Sequence, residues 1–88
     1  MEITGIKLRK EYNGIPLEAI YSVTFDNELV VHDVKVVRRK EGLLVVMPNR
    51  RTSDGEIRDI VHPVTSEFRH KLEKQIVTYH NNLYGKRE

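Results

Sequence analysis

Eighty-eight residues carrying a net charge of +2 make one small domain, residues 1–88, too short for two cores. The chain has no cysteine, which excludes disulfides, a thiolate nucleophile and a Cys-ligated zinc. No apolar run approaches the roughly 20 residues of a membrane span, and Met1-Glu2-Ile3 lacks the start of a signal peptide, so a cytoplasmic protein is expected.

Ile3 to Tyr12 reads as a first strand, with Ile6, Leu8 and Tyr12 on one face and Lys7, Arg9 and Glu11 on the other. Asn13-Gly14-Ile15-Pro16 is a turn, since Asn-Gly accepts positive φ and proline cannot donate to a ladder. From Leu17 to Phe25 apolar residues alternate with polar ones, the period of a half-buried strand. Asp26-Asn27 supplies the next turn. Leu29 to Val37 is then β-branched on both parities, Val30, Val34 and Val36 on one side and Leu29, Val31 and Val37 on the other. A strand apolar on both faces expects cover on both.

Arg38 to Gly42 is a charged hairpin tip, and Leu43, Leu44, Val45, Val46 and Met47 form a fourth strand, again apolar on both sides. Pro48 ends it. Arg50 and Arg51 follow, Ser53-Asp54-Gly55 turns, and Glu56 to Val61 reads as a short fifth strand or an irregular return. Thr65 is placed to cap a helix, Glu67 meets the positive end of its dipole, and Gly85 terminates it. Phe68, Leu72, Ile76, Tyr79 and Leu83 form its apolar stripe. The expected fold is α+β: an antiparallel sheet of four to five strands over about 2–62, with one C-terminal helix over about 66–84. One helix covers one face, so a second copy is expected on the rest, with Leu43 to Met47 as the homodimer interface.

Charge is segregated along the chain. Residues 1–34 are net −3, residues 35–51 net +5, residues 52–64 net −2 and residues 65–88 net +2. Such a distribution fits an anionic partner, and it equally fits a solvated rim that keeps a dimer soluble. Nucleic-acid binding would use Lys35, Arg50, Arg51, Arg58, Arg69 and Lys71, provided that the hairpin and the helix start share a face. Tyr21, Phe25, Phe68 and Tyr79 fall on apolar faces and read as core, which leaves Tyr12 and Tyr84 as candidate base stackers.

Catalysis would have to draw on His32, Asp33, Asp54, Glu56, Asp59 and His62, whose spacings match no metal-ligand pattern. His32 and Asp33, adjacent on a strand, point to opposite faces. The simpler readings are a sheet histidine with a partner for His32, a loop anchor for His62, turn chemistry for Asp54 and a guanidinium partner for Asp59. No enzyme activity, cofactor, metal or small-molecule substrate is expected. A metal-dependent nuclease built on Asp54, Glu56 and Asp59 is the remaining catalytic alternative.

Val30 to Val36, Gly42-Leu43, Met47-Pro48-Asn49-Arg50-Arg51-Thr52, Asp54-Gly55-Glu56-Ile57-Arg58-Asp59-Ile60 and His62-Pro63 resemble, in order and spacing, the SpoVG family, stage V sporulation protein G. Ser53, Ile57 and Val61 depart from the family pattern without touching an arginine. The resemblance implies a homodimeric bacterial regulator that binds DNA or RNA and influences sporulation and septation. It also implies a binding surface that includes Arg50, Arg51, Arg58 and the helix entry from Thr65 to Lys71, where Ser66, Arg69 and Lys71 would tune the target. The alternative is a protein-interaction module acting in septum formation without nucleic acid.

Overall fold

The computed structural model describes residues 1–12 and 16–85; the turn expected at Asn13 to Pro16 lies largely outside them. Six strands and one helix follow in chain order: β1 (Ile3–Glu11), β2 (Leu17–Phe25), β3 (Leu29–Arg39), β4 (Gly42–Val46), β5 (Asn49–Arg51), β6 (Ile57–Asp59) and α1 (Ser66–Tyr84). The first four make one antiparallel sheet in the order β1-β2-β3-β4. Beyond Pro48 the chain leaves that sheet, and β5 and β6 pair only with each other. The α+β architecture is as expected. The fifth strand becomes a separate two-stranded arm because proline interrupts the ladder between Val46 and Asn49.

Helix α1 lies over one face of the large sheet. Ala19, Tyr21, Val23, Phe25, Val34, Val36, Val45 and Met47 meet Leu72 and Ile76 there, all buried. Thr65 caps the helix by accepting from the Phe68 N–H at 3.1 Å, and Gly85 ends it at φ 72°, both as expected. Asp26 and Asn27 have φ of 52° and 54°, the two positive values that a tight antiparallel hairpin demands.

Two face assignments are corrected by bulges. Opposite Ser22, β3 inserts an extra residue, so Tyr21 pairs with Val34 while Val23 pairs with Val31. Asp33 takes up the insertion at φ 64°. Val31 therefore joins Val34 and Val36 on the helix side, and Val30 moves to the other face. His32 and Asp33 do not simply alternate, and His32 Nδ1 sits 2.7 Å from the Ser22 hydroxyl. In β1 a second bulge between Leu8 and Lys10 pairs Leu8 with Tyr21 but Lys10 with Ile20. Glu11 thereby turns toward the helix and Lys10 away from it.

The helix stripe is corrected as well. Leu72, Ile76 and His80 are the buried residues of α1, whereas Tyr79 and Leu83 are exposed. A step of four from Phe68 reaches 72, 76 and 80, and the polar residue in that series is the one that goes inside. It does so because every ring nitrogen finds a partner. His80 Nδ1 is 2.7 Å from the Tyr21 hydroxyl, and Nε2 is 2.8 Å from a Glu18 carboxylate oxygen. The other Glu18 oxygen accepts from Arg38 Nε at 2.6 Å. Tyr84 packs its ring 4.8 Å from that of His80 and donates to Glu11 at 2.8 Å, so it is not a free stacking platform.

Burial pushes the Tyr21 phenol above its ordinary value, so it keeps its proton. Burial also raises the Glu18 carboxyl, but hydrogen bonds from Arg38 and His80, together with their charges, outweigh it and hold the group below its ordinary 4.5. A carboxyl lowered by folding contributes stability that is present above 4.5 and is lost as pH falls from there through the folded value. Chemical denaturation across that window should show an acid loss in the parent chain that is shallower in Glu18→Gln; equal slopes would contradict the assignment. Ile76→Ala should cost about 2–5 kcal/mol in the same measurement, as the loss of a fully buried isoleucine.

Candidate nucleic-acid interface

The arm that follows Pro48 is short, so its form rests on its turn. Thr52 donates through its hydroxyl to Asp54, the Glu56 N–H donates to the same carboxylate at 3.3 Å, and Gly55 sits at φ 88°. The Thr52 hydrogen bond, joined by the Glu56 N–H, holds Asp54 below the usual carboxylate range. Asp54 is thus turn chemistry, as the sequence predicts. The ladder continues past the arm: the Ile60 N–H donates to the Pro48 carbonyl at 2.7 Å.

Cross-strand register decides which arginines stand together. Arg50 pairs with Arg58, while Arg51 pairs with Ile57 and Asn49 with Asp59. Paired residues share a face, so Arg50 and Arg58 project from one side of the ribbon and Arg51 and Asp59 from the other. Glu56 reaches Arg58 Nη2 at 2.8 Å, and Arg51 donates to the Gly55 carbonyl at 3.4 Å. All three guanidinium side chains are exposed. Asp59 does not orient Arg58; Glu56 does.

Between the arm and the helix start lies an open, mainly polar cleft of about 490 Å³, lined by Ile57, Arg58, Asp59, His62 and Arg69. His62, exposed in it, donates through Nδ1 to the carbonyl of its neighbour Pro63 at 2.9 Å, a local contact that does not by itself tie the loop to the helix. Arg69, one turn into α1, is steadied by Glu73 at 4.0 Å. Ser66 is exposed at the first helical position, where backbone N–H groups and the helix dipole favour an anion. The structure thus brings Arg58, Arg69 and Ser66 to one end of the molecule, with Arg50 beside Arg58.

Two expected members fall elsewhere. Lys71 is held by Glu2 at 3.1 Å and by the Met1 carbonyl at 3.3 Å, and it lines the groove between α1 and β1. Lys35 pairs with Ile20 and Val46, on the sheet face that α1 does not cover. Tyr12 is also occupied, with the Lys10 ammonium 5.3 Å from its ring centre. Among the described residues no group of three or more His, Asp or Glu side chains could hold a metal, so Asp54, Glu56 and Asp59 do not converge.

Of the five residues Leu43 to Met47, Leu43, Val45 and Met47 pack into the chain's own core, while Leu44 and Val46 face away from the helix. What this strand can offer a partner is its outer backbone edge together with Leu44 and Val46, not five side chains. Among the described residues no helix is long and apolar enough to cross a membrane.

The molecule is thus a small α+β domain that presents an arginine-bearing hairpin beside a capped helix N-terminus. Residues 1–82 match the SpoVG family model, and the chain belongs to the SpoVG family. Three of its relatives carry both septation and SpoVG in their names. The protein of Caldanaerobacter subterraneus is 48% identical over 77 residues, covering 88% of this chain and 85% of the relative. That of Acetivibrio thermocellus is 45% identical over 83 residues, 94% and 88% of the two chains. That of Clostridium acetobutylicum is 42% identical over 88 residues, all of this chain and 93% of the relative.

The helix entry depends on its cap. Thr65→Ala should lower stability by about 1 kcal/mol, and Thr65→Ser should restore most of it, measured by thermal unfolding.

Proposed function

We propose that this chain is a non-enzymatic regulator that binds DNA or RNA as a homodimer in the cytoplasm, in the setting of sporulation and septation for which its family and relatives are named. The observation that carries the reading is the Arg50–Arg58 pair, two exposed guanidinium groups side by side on one face of the arm and adjoining the cleft that Arg69 and His62 line. Guanidinium groups make bidentate contacts to phosphate oxygens and to guanine, and the helix N-terminus adds oriented N–H donors. Arg51, on the opposite side of the ribbon, contributes charge at longer range. Ser66 and Arg69 sit where they can adjust the choice of target.

The dimer reading is supported by the two edges of the large sheet. Strand β1 is bulged between Ile3 and Gly5 and again between Leu8 and Lys10, and it exposes Lys7, Arg9 and Lys10, all features that deter edge pairing. Strand β4 pairs with β3 in unbroken register and is apolar throughout, so its outer edge is the one suited to a second copy.

Replacing Arg50 and Arg58 together by alanine should weaken binding to a mixed-sequence oligonucleotide. The dependence of log affinity on log salt should become shallower by roughly one unit per lost phosphate contact. Lys71→Ala, which removes a cation already paired with Glu2, should leave both quantities unchanged. Unaltered binding in the arginine variant would remove the arm from the site. Light scattering at micromolar concentration should give twice the chain mass of 10.3 kDa; a monomer would contradict the dimer.

A further inference from the structure

The face of the large sheet opposite α1 is apolar, basic and uncovered. Its cross-strand rows read Lys10, Ile20, Lys35, Val46 and, beside it, Leu17, Val37, Leu44, with Lys7 next to Ser22 in a third. Leu44 is 39% exposed and Val30 44%, and Ile20, Val37 and Val46 are half-buried. At the paired positions themselves no acid stands, and the third row runs on from Ser22 to the bulge that holds His32 and the exposed Asp33 at the margin of the field. Glu18, next to Leu17, is drawn to the helix side by His80, and the β1 bulge turns Glu11 the same way. The same bulge brings Lys10 onto the face that Lys7 already occupies.

We propose that this open face is a docking surface for an amphipathic helix of another protein, one whose aliphatic stripe is flanked by carboxylates. Like the face α1 covers, it is built of β-branched and aliphatic side chains, Ile20, Val37, Leu44 and Val46 among them, and a second helix there would complete a three-layer packing. Its charge selects acidic flanks, because Lys7, Lys10 and Lys35 stand around and within the apolar field.

The other occupants fit less well. A second copy packed face to face would bring the central Lys35 of each chain into the field of the other. A second copy's helix suits it less, since Leu72 and Ile76 are spent on its own core, and the exposed Tyr79 and Leu83 share its solvent side with Arg69 and Lys74, cations that would meet the lysines of this face. A nucleic acid would find little to stack on, because the ring at the margin, His32, is held by Ser22, the apolar rows are aliphatic, and Tyr12 lies under Lys10. The inference is independent of the arginine arm, which lies past Pro48 and outside these rows.

The test is a titration of the isotope-labelled chain with a synthetic helical peptide that carries leucines along one side and glutamates on both flanks. A matched peptide with lysine flanks serves as the comparison. The acidic peptide should shift the amides of Ile20, Lys35, Val37 and Val46 and leave those of Leu72 and Ile76 in place. Lys10→Glu together with Lys35→Glu should weaken it by about tenfold or more, and Lys10→Glu alone, at an exposed position, should weaken it without altering the fold. Equal binding of the two peptides, or no response to either, would overturn the proposal. So would a face that ignores the acidic peptide and answers instead to an oligonucleotide, an anionic vesicle or the chain's own concentration.

Discussion

A four-stranded sheet has two faces and this chain brings one helix to it, and the placing of almost every side chain follows from that shortage. The rows that α1 covers gather Tyr21, Val23, Val34, Val36, Val45, Leu72 and Ile76 into one core. The rows it leaves open keep a smaller set of aliphatic residues and gain lysines. Bulges at Asp33 and at the end of β1 do the sorting, since one inserted residue reverses the parity of everything beyond it. The β1 bulges, between Ile3 and Gly5 and between Leu8 and Lys10, also spoil that strand as an edge, which leaves β4 as the open side of the sheet.

The helix is held to the sheet by more than apolar contact. Its last inward position is His80, which joins Tyr21 on the middle of β2 to Glu18, and through Glu18 to Arg38 at the end of β3. A buried polar chain of this kind is tolerated because every member has a partner, and directional bonds fix the helix along its length in a way that aliphatic packing does not. With the C-terminal half fixed there, the N-terminal end of α1 is positioned against the arm.

Much of this was legible in the residues. Alternation over Ala19 to Phe25, the Asp26-Asn27 turn, the Thr65 cap and Gly85 each rest on local rules, and each appears where those rules place it. Leu17 departs from the alternation, because a bulge at Glu18 turns it to the open face. Parity was not legible in β3, because a bulge leaves no mark in a run where both parities are β-branched. His80 was missed because the stripe was traced through apolar residues, to Tyr79 and Leu83; the unbroken step of four from Phe68 was the available signal. For the candidate site, the arginines of the arm and its Asp54-Gly55 turn could be read from the residues. The pairing of Arg50 with Arg58, and Glu56 rather than Asp59 as the partner of Arg58, could not, since both depend on the register of the return strand. The diversion of Lys71 to Glu2 and of Lys35 to the open face could not, since both depend on how distant strands come together.

We propose that the arm and the helix entry together form the surface that meets nucleic acid. The most direct measurement is a map of backbone amide shifts as a short mixed-sequence oligonucleotide is added to the intact chain. The response should concentrate in residues 49–59 and 65–69, with the amides of Ile76 and His80 unmoved. A response confined to the C-terminal half of α1 or to β1, or no response at salt low enough for phosphate contacts to form, would contradict it.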